Sequence, residues 1–503
     1  MYFFDACALE RLGYFYMNFA DLLFMFVFFP VCVGLYLMKK QIRYRNAVLL
    51  VFSLIFYAWG EPLKLVLLLL SAMVNFLLAR SIDANRTNKL CKFSLIVSLV
   101  FNIGMLGVFK YTDFITSNLN NFFGLQIPAA NIVLPLGISF YTFQILSYVI
   151  DVYWGNVPVQ KDFSKLLLYI SLFPQLVAGP IVRYSTIVDE IDTRRSTLTD
   201  LTEGLSRMIV GLAKKVILAN TLSLLAQNYL TDMLSTSSVV ATWVGVISYS
   251  MQVYFDFSGY SDMAIGMGRI FGFHFDENFN YPFMCRSIQE FWQRWHISLG
   301  SFFRDYLLYL PIFGKRRQIL SLFLVWFTTG LWHGASWNFI AWGLYFGVFI
   351  FVEQKIGKKT LKKIPDAIMH IYNKIVICIG FGIFYYGDCI SLGDFFTQMK
   401  TFFGSLFGFS GNGFFKYEDF VTGAYNKDIL ESVYLQKYIW IFLLSVIVCF
   451  PVLKILKERI SNSSYPVQAA AQIGSTLCCI TFLVLSVIML ISSENNPFLY
   501  FRF

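Results

Sequence analysis

From residue 19 to residue 492 the chain alternates between long apolar runs and short basic loops. A helix that crosses a bilayer needs roughly 20 mostly apolar residues. Runs of this kind fall at 19–38, 46–60, 65–79, 93–109 and 131–153, and in a segment flanked by Lys161 and Lys165 that reaches Pro180. Others follow at 216–232, 236–257, 319–352, 371–387, 438–453 and 467–492. The pattern predicts an all-α, polytopic membrane protein with about eleven crossings. Basic groups in 39–45, 80–92 and 454–459 mark cytoplasmic loops. After Lys110 no Lys or Arg occurs until Lys161, which puts the predicted loop 111–130 on the extracytoplasmic side, together with the Gly- and Phe-rich stretch 389–437.

Three segments depart from the simple pattern. Residues 183–215 hold Arg183, Arg194, Arg195, Arg207, Lys214 and Lys215, and read as a cytoplasmic region with amphipathic helix character. Residues 258–318 stay rich in apolar side chains but are interrupted by charges, each costly in lipid. That stretch is expected against the cytoplasmic side or folded back into a protein-lined cavity. The run 319–352 has basic residues at both ends, so it must cross an even number of times or re-enter. Its midpoint is TGLWHGASWN, residues 329–338, where small residues permit a break and place His333 near the apex of a hairpin.

Composition strengthens this picture. Of 503 residues, 57% are apolar and 14% charged, too few charges to cover a soluble surface of this size. The net charge of +10 collects in the loops, which argues for membrane topology and against nucleic-acid binding. Nine scattered cysteines without a C-x-x-C pair read as small buried hydrophobes, with no metal site implied. Residues 1–16 carry early acids and no basic start, so they read as an extension or mis-start ahead of Met17, with 17–503 as one transmembrane domain whose core is about 134–350.

With only four histidines in the chain, His274, His296, His333 and His370, each is informative. His333 has small neighbours in Gly334, Ala335 and Ser336, which would let a substrate approach the ring. An imidazole with a pKa near 6.5 suits general-base work; a satisfied core histidine is the alternative. His296 lies in CRSIQEFWQRWHISLGSFFRDYLLYLP (285–311), where Ser287 and Glu290 have capping-box spacing. A helix there puts Arg286, Glu290 and Arg294 on one stripe, and Trp292 and His296 on another. It reads either as an interfacial helix or as a gate near the cytoplasmic mouth of a cavity. Asp256, Asp262 and Arg269 in YFDFSGYSDMAIGMGRIFGF (254–273), with Gln175 and Arg183 in FPQLVAGPIVRY (173–184), read equally as bracing networks or as substrate contacts.

These stretches, with FYAWGEP (56–62), LPLGISFYTFQILSYVIDVY (134–153), GLAKKVILAN (211–220), LWHGASWNFIAWGLYFG (331–347) and PFLYFRF (497–503), together resemble the membrane-bound O-acyltransferase family in its alginate O-acetyltransferase branch. The resemblance implies a ring of tilted helices around a central channel, with a funnel toward each face. It implies His333 as the catalytic histidine and His296 as the second, on the cytoplasmic side. Acetyl-CoA is the implied acyl donor, with no bound cofactor. The implied partners are membrane lipid and an extracytoplasmic polysaccharide, or an SGNH-type, esterase-like protein that completes transfer. Trp332, Ser336 and Asn338 are candidates to orient the acyl group or the ring, and Arg294, Arg304 and Asp305 to shape the donor entrance. FYYGDC (384–389) lacks an arginine that relatives often carry. The expected function is O-acetylation of a polysaccharide at the plasma membrane. The alternatives are D-alanyl transfer to teichoic acid, a transporter without chemistry, or a scaffold that hands acyl groups to its partner.

Overall fold

The computed structural model describes residues 17–492 apart from 61, 178, 309–316, 388, 412, 415–426 and the side chains of 427–434. The suggested extension 1–16 and the ending 497–503 lie outside the described residues. Among the described residues every regular element is helical. Leaving the shortest helical turns unnumbered, the helices are α1 Phe24–Met38, α2 Ile42–Gly60, α3 Leu65–Ala84, α4 Lys89–Phe123, α5 Ile138–Trp154 and α6 Phe163–Ser171. Next come α7 Leu198–Asp232, α8 Val239–Ile270, α9 Ile288–Arg294, α10 Ile297–Phe303, α11 Gln318–His333 and α12 Trp337–Ile356. The last are α13 Asp366–Tyr385, α14 Leu392–Phe407, α15 Lys427–Val448, α16 Val452–Ser461 and α17 Tyr465–Ser492.

Among the described residues, six helices are long and apolar enough to cross a membrane: α3, α4, α7, α12, α13 and α17. A seventh is counted if α15 and α16, bent by 57° at their break, form one span. Other predicted crossings fall on shorter helices such as α5, with 17 residues, and α11, with 16. A helix the length of α11 rises about 24 Å, less than a hydrocarbon core of roughly 30 Å. If it starts at one edge of the bilayer, it therefore ends inside it.

Two predicted boundaries change. The segment 111–130 is mostly not a loop, because α4 runs on to Phe123 and stops only where Gly124 adopts φ 64°. At 35 residues α4 is about 52 Å long and must project beyond the membrane core. Likewise 198–215 is not separate from the crossing after it. A capping box between Thr197 and Asp200 starts α7, which continues to Asp232 through two π-helical turns. Its basic residues are neutralised sideways, not in an aqueous loop. Arg207 and Lys214 both reach Asp262 of α8, at 2.8 and 2.6 Å, and Lys215 pairs with Asp256 at 2.9 Å inside the bundle.

α7 and α8 pack through glycines. A Cβ on Gly204 or Gly211 would come within 2.6 Å of the carbonyl oxygen of Gly266 or Gly259. Small residues let two backbones approach this closely, which is how helices associate where lipid removes the hydrophobic drive. The inner ion pair of Lys215 with Asp256 needs that approach. A different polar clasp joins α3 to α4, where Asn75 Oδ1 accepts from Ser98 at 2.6 Å and from Asn102 at 2.8 Å.

The predicted helix over 285–311 starts where Ser287 accepts from the Glu290 N–H at 3.0 Å. It breaks at Trp295–His296, and His296 takes φ 45°. Asn278 causes the break: its carbonyl accepts from Ile297 N and its side chain from Ser298 N, at 2.9 and 3.2 Å, replacing partners within a helix. The predicted stripe of Trp292 with His296 is therefore divided between two short helices.

Gly211→Leu should wedge α7 from α8. We expect a loss of about 3 kcal/mol, read as a lower unfolding temperature in detergent, whereas Gly34→Leu, with open space around its Cβ position, should leave that temperature unchanged.

Candidate active site

α11 and α12 form the predicted hairpin. They cross at Gly330 and Gly343, where a Cβ would collide with the backbone carbonyls of Phe339 and Trp326. α11 ends at His333, Gly334 is extended, and α12 begins at Trp337. The hairpin apex thus carries Trp332, His333, Ser336 and Asn338 together, as the motif suggested. All four are buried, His333 with 7% of its surface exposed.

Rings enclose the His333 imidazole. Its centroid lies 4.9 Å from Trp332, 4.9 Å from Trp342 and 5.1 Å from Phe384, each edge to face. Such contacts fix the plane of an imidazole. His296 meets Trp332 at 5.9 Å and Phe257 at 4.6 Å, with Nδ1 at 3.2 Å from Asn278 Oδ1. Trp332 therefore touches both histidines. His296 is 2% exposed, so it is an interior residue and not part of an open mouth.

Two cavities approach the hairpin from opposite ends. The larger, about 710 Å³, lies at its base, between α9, the start of α11 and the end of α12. Arg286, Gln289, Gln293, Glu353, Lys358 and Lys362 line it. The smaller, about 210 Å³, lies at the apex and is lined by Lys110, Asp113, Ile132, Gly334 and Ala335. Between them runs an aromatic wall. Trp292 of α9 meets Trp342 of α12 at 5.4 Å, and Trp342 meets His333. Along this line Trp292 Nε1, Ser321 Oγ, Trp342 Nε1, Ser336 Oγ and Asn338 Oδ1 are buried without a hydrogen-bond partner among the described residues. Each such group costs about 1–3 kcal/mol. A row of them fits a passage for a ligand with polar atoms better than a dry core.

The other predicted residues divide into two groups. Arg183, Arg304 and Asp305 come together: Asp305 pairs with Arg183 at 2.8 Å and with Arg304 at 2.7 Å. Arg183 also lies over the Tyr306 ring, whose hydroxyl donates to Asp151 at 2.8 Å. Arg294 pairs with Glu290 at 2.7 Å, as the helical spacing predicted. These four do not line the large cavity. Asp256 braces α7 against α8 through Lys215, and Gln175 donates to the Tyr169 carbonyl at 2.5 Å.

Several residues beside the hairpin were not singled out from sequence. Trp342 and Phe384 read as ordinary core aromatics. Lys358 and Lys362 read only as topology markers. Lys110 carried a signal: it is a cation at the edge of an apolar run.

With this geometry in view, the comparisons are decisive. Residues 158–392 match the MBOAT, membrane-bound O-acyltransferase family. The chain is 39% identical over 378 residues to a probable alginate O-acetylase of Pseudomonas aeruginosa, covering 73% of this chain and 72% of that one. The chain belongs to the membrane-bound O-acyltransferase family. It is therefore an all-α, multi-pass membrane enzyme of the O-acyltransferase class. It is 34% identical over 392 residues to a peptidoglycan O-acetyltransferase of Helicobacter pylori, covering 71% of this chain and 74% of that one. A teichoic acid D-alanyltransferase of Bacillus subtilis is 31% identical over 280 residues, covering 51% of this chain and 70% of that one. In this O-acyltransferase the catalytic hairpin candidate, 318–356, lies wholly inside the matched segment.

Outside the spanning helices, Asp305 offers a pH test. Burial raises its carboxyl, but hydrogen bonds from Arg304 and Arg183, and their charges, outweigh this and hold it below the usual aspartate range. A depressed folded value gives stability that is present above about pH 4 and lost as pH falls through the folded value. The stability difference between wild type and Asp305→Asn should therefore shrink on acidification below about pH 4. A difference that is constant down to pH 2 contradicts the pairing.

Proposed function

We propose that this enzyme takes acetyl groups from acetyl-CoA at the cytoplasmic face of the plasma membrane. It delivers them to hydroxyls of a polysaccharide on the other side. The observation that carries the reading is the position of His333, at the apex of a broken hairpin between two cavities. Basic loops at both ends of 318–356 argue that the 710 Å³ cavity faces the cytoplasm. Arg286, Lys358 and Lys362 suit the phosphates of coenzyme A, since a charge-assisted hydrogen bond is roughly twice as strong as a neutral one. The acyl arm would pass along Trp292 and Trp342 to His333. Acetyl transfer is favoured over D-alanyl transfer because the alignments to named O-acetylases cover more of the chain, at higher identity.

In the proposed step His333 accepts the proton of the attacking hydroxyl as its oxygen adds to the thioester carbonyl. The tetrahedral intermediate then expels the thiolate as the C–S bond breaks. The imidazolium returns its proton to the departing sulfur, giving the ester and free coenzyme A. Ser336 and Asn338, on the same hairpin apex, are candidates to orient the carbonyl. His296 also packs against Trp332. Aromatic walls exclude water, which would otherwise hydrolyse the donor. An esterase-like partner of the SGNH type supplies either the acceptor hydroxyl or the final transfer.

His333→Ala should reduce acetyl transfer by about 10³-fold or more while the protein still inserts; retained activity in membrane vesicles rejects the reading. Labelled D-alanine, rather than labelled acetate, appearing in wall polymers would move the enzyme to the other branch. Lys358→Glu with Lys362→Glu should raise KM for acetyl-CoA roughly tenfold at unchanged kcat, about 1.4 kcal/mol.

A further inference from the structure

α11 stops at His333, and a helix leaves its last four carbonyls without partners inside the helix. Trp332 and His333 are buried, so another part of the protein must take the carbonyls there. One helix supplies partners for two of them. Lys110 Nζ donates to the Trp332 carbonyl, and Tyr111 Oη donates to the Leu331 carbonyl at 2.7 Å. Two turns further along α4, Asn118 Oδ1 accepts from Trp337 Nε1 at 3.0 Å, while Phe114 packs on the Trp337 ring at 5.7 Å. Lys110, Phe114 and Asn118 recur at i, i+4 and i+8, one face of one helix. That face grips the hairpin on both sides of the break, at the end of α11 and the start of α12.

The position along the membrane agrees. Lys110 is 21 residues beyond the start of α4, about 32 Å along its axis. That is the far edge of a core roughly 30 Å thick, where an amine can be held at modest cost. The same amine lines the apical cavity beside Gly334 and Ala335.

We infer that Lys110 and Tyr111 are positioning residues for the acyl-transfer step: they fix the carbonyl end of α11 and so aim the His333 ring between the two cavities. They act through the backbone of Leu331 and Trp332. The donor site is at the other end of the hairpin, so loss of the clamp should change the rate of the chemical step and leave donor binding alone. This rests on His333 being the base, as proposed above.

The test uses membrane vesicles from cells expressing the full chain, with acetyl-CoA as the probe and thiol release followed over a range of donor concentrations. Lys110→Met should lower kcat about 30-fold with KM for acetyl-CoA within twofold of wild type. Lys110→Arg, which keeps a cationic donor, should recover at least a third of the wild-type kcat. Tyr111→Phe, which removes only a hydroxyl, should lower kcat about fivefold. Protein level in the membrane and unfolding temperature in detergent are measured for each. The inference is overturned if Lys110→Met keeps kcat within twofold, or if it raises KM in step with the fall in kcat. It is also overturned if Lys110→Arg is as inactive as Lys110→Met. An active His333→Ala overturns the base assignment itself; an inactive His333→Ala beside a fully active Lys110→Met overturns only the clamp.

Discussion

The constraint that governs this structure is the end of a helix in the buried interior of a membrane protein. Lipid offers nothing to a carbonyl that its own helix has abandoned, and each unmet group costs several kcal/mol. Breaking α11 at His333 therefore obliges the fold to bring donors to Leu331 and Trp332, and α4 does so with Lys110 and Tyr111. In return, the break places an imidazole at the hairpin apex, with a cavity toward each end of the hairpin. A continuous helix through the same residues would have presented His333 on a lateral face, packed or facing lipid.

The rest of the bundle makes that break rigid. Gly330 and Gly343 set the hairpin helices in backbone contact, so the apex cannot shift without moving both. α7 and α8 form a second tight pair, and their charges are cancelled between them by Asp262 and Asp256. α9 is anchored to the hairpin base by Glu353, which accepts from the N–H groups of Ile288 and Gln289 at 2.8 and 3.0 Å. A carboxylate at a helix N-terminus meets both the free donors and the helix dipole. The floor of the large cavity is thereby tied to the helix that leads to His333.

Aromatic side chains suit this interior. They bury large areas at little conformational cost and hold an imidazole by edge-to-face contacts. The chain has 55 Phe, 29 Tyr and 10 Trp, enough to line a route from Trp292 to His333 with few aliphatic gaps. Such a route is apolar to water yet offers indole N–H groups to a carbonyl.

The sequence alone determined the membrane class, the hairpin over 319–352 with His333 at its apex, and the capped start at Ser287. Each rests on local chemistry: run length, flanking charge or a capping spacing. Tertiary structure decided what depends on partners distant in the chain. Asn278 breaks the helix at His296, and Asp262 allows Arg207 and Lys214 to sit within a continuous α7, where their charges alone had suggested an exposed region. Lys110, visible in sequence only as a lone cation, gained its place because Trp332 lies 222 residues away. Hydropathy and periodicity describe what one segment prefers. They carry no information on which carbonyl, 200 residues on, will need a donor, and in a membrane that need is what settles where a helix can end.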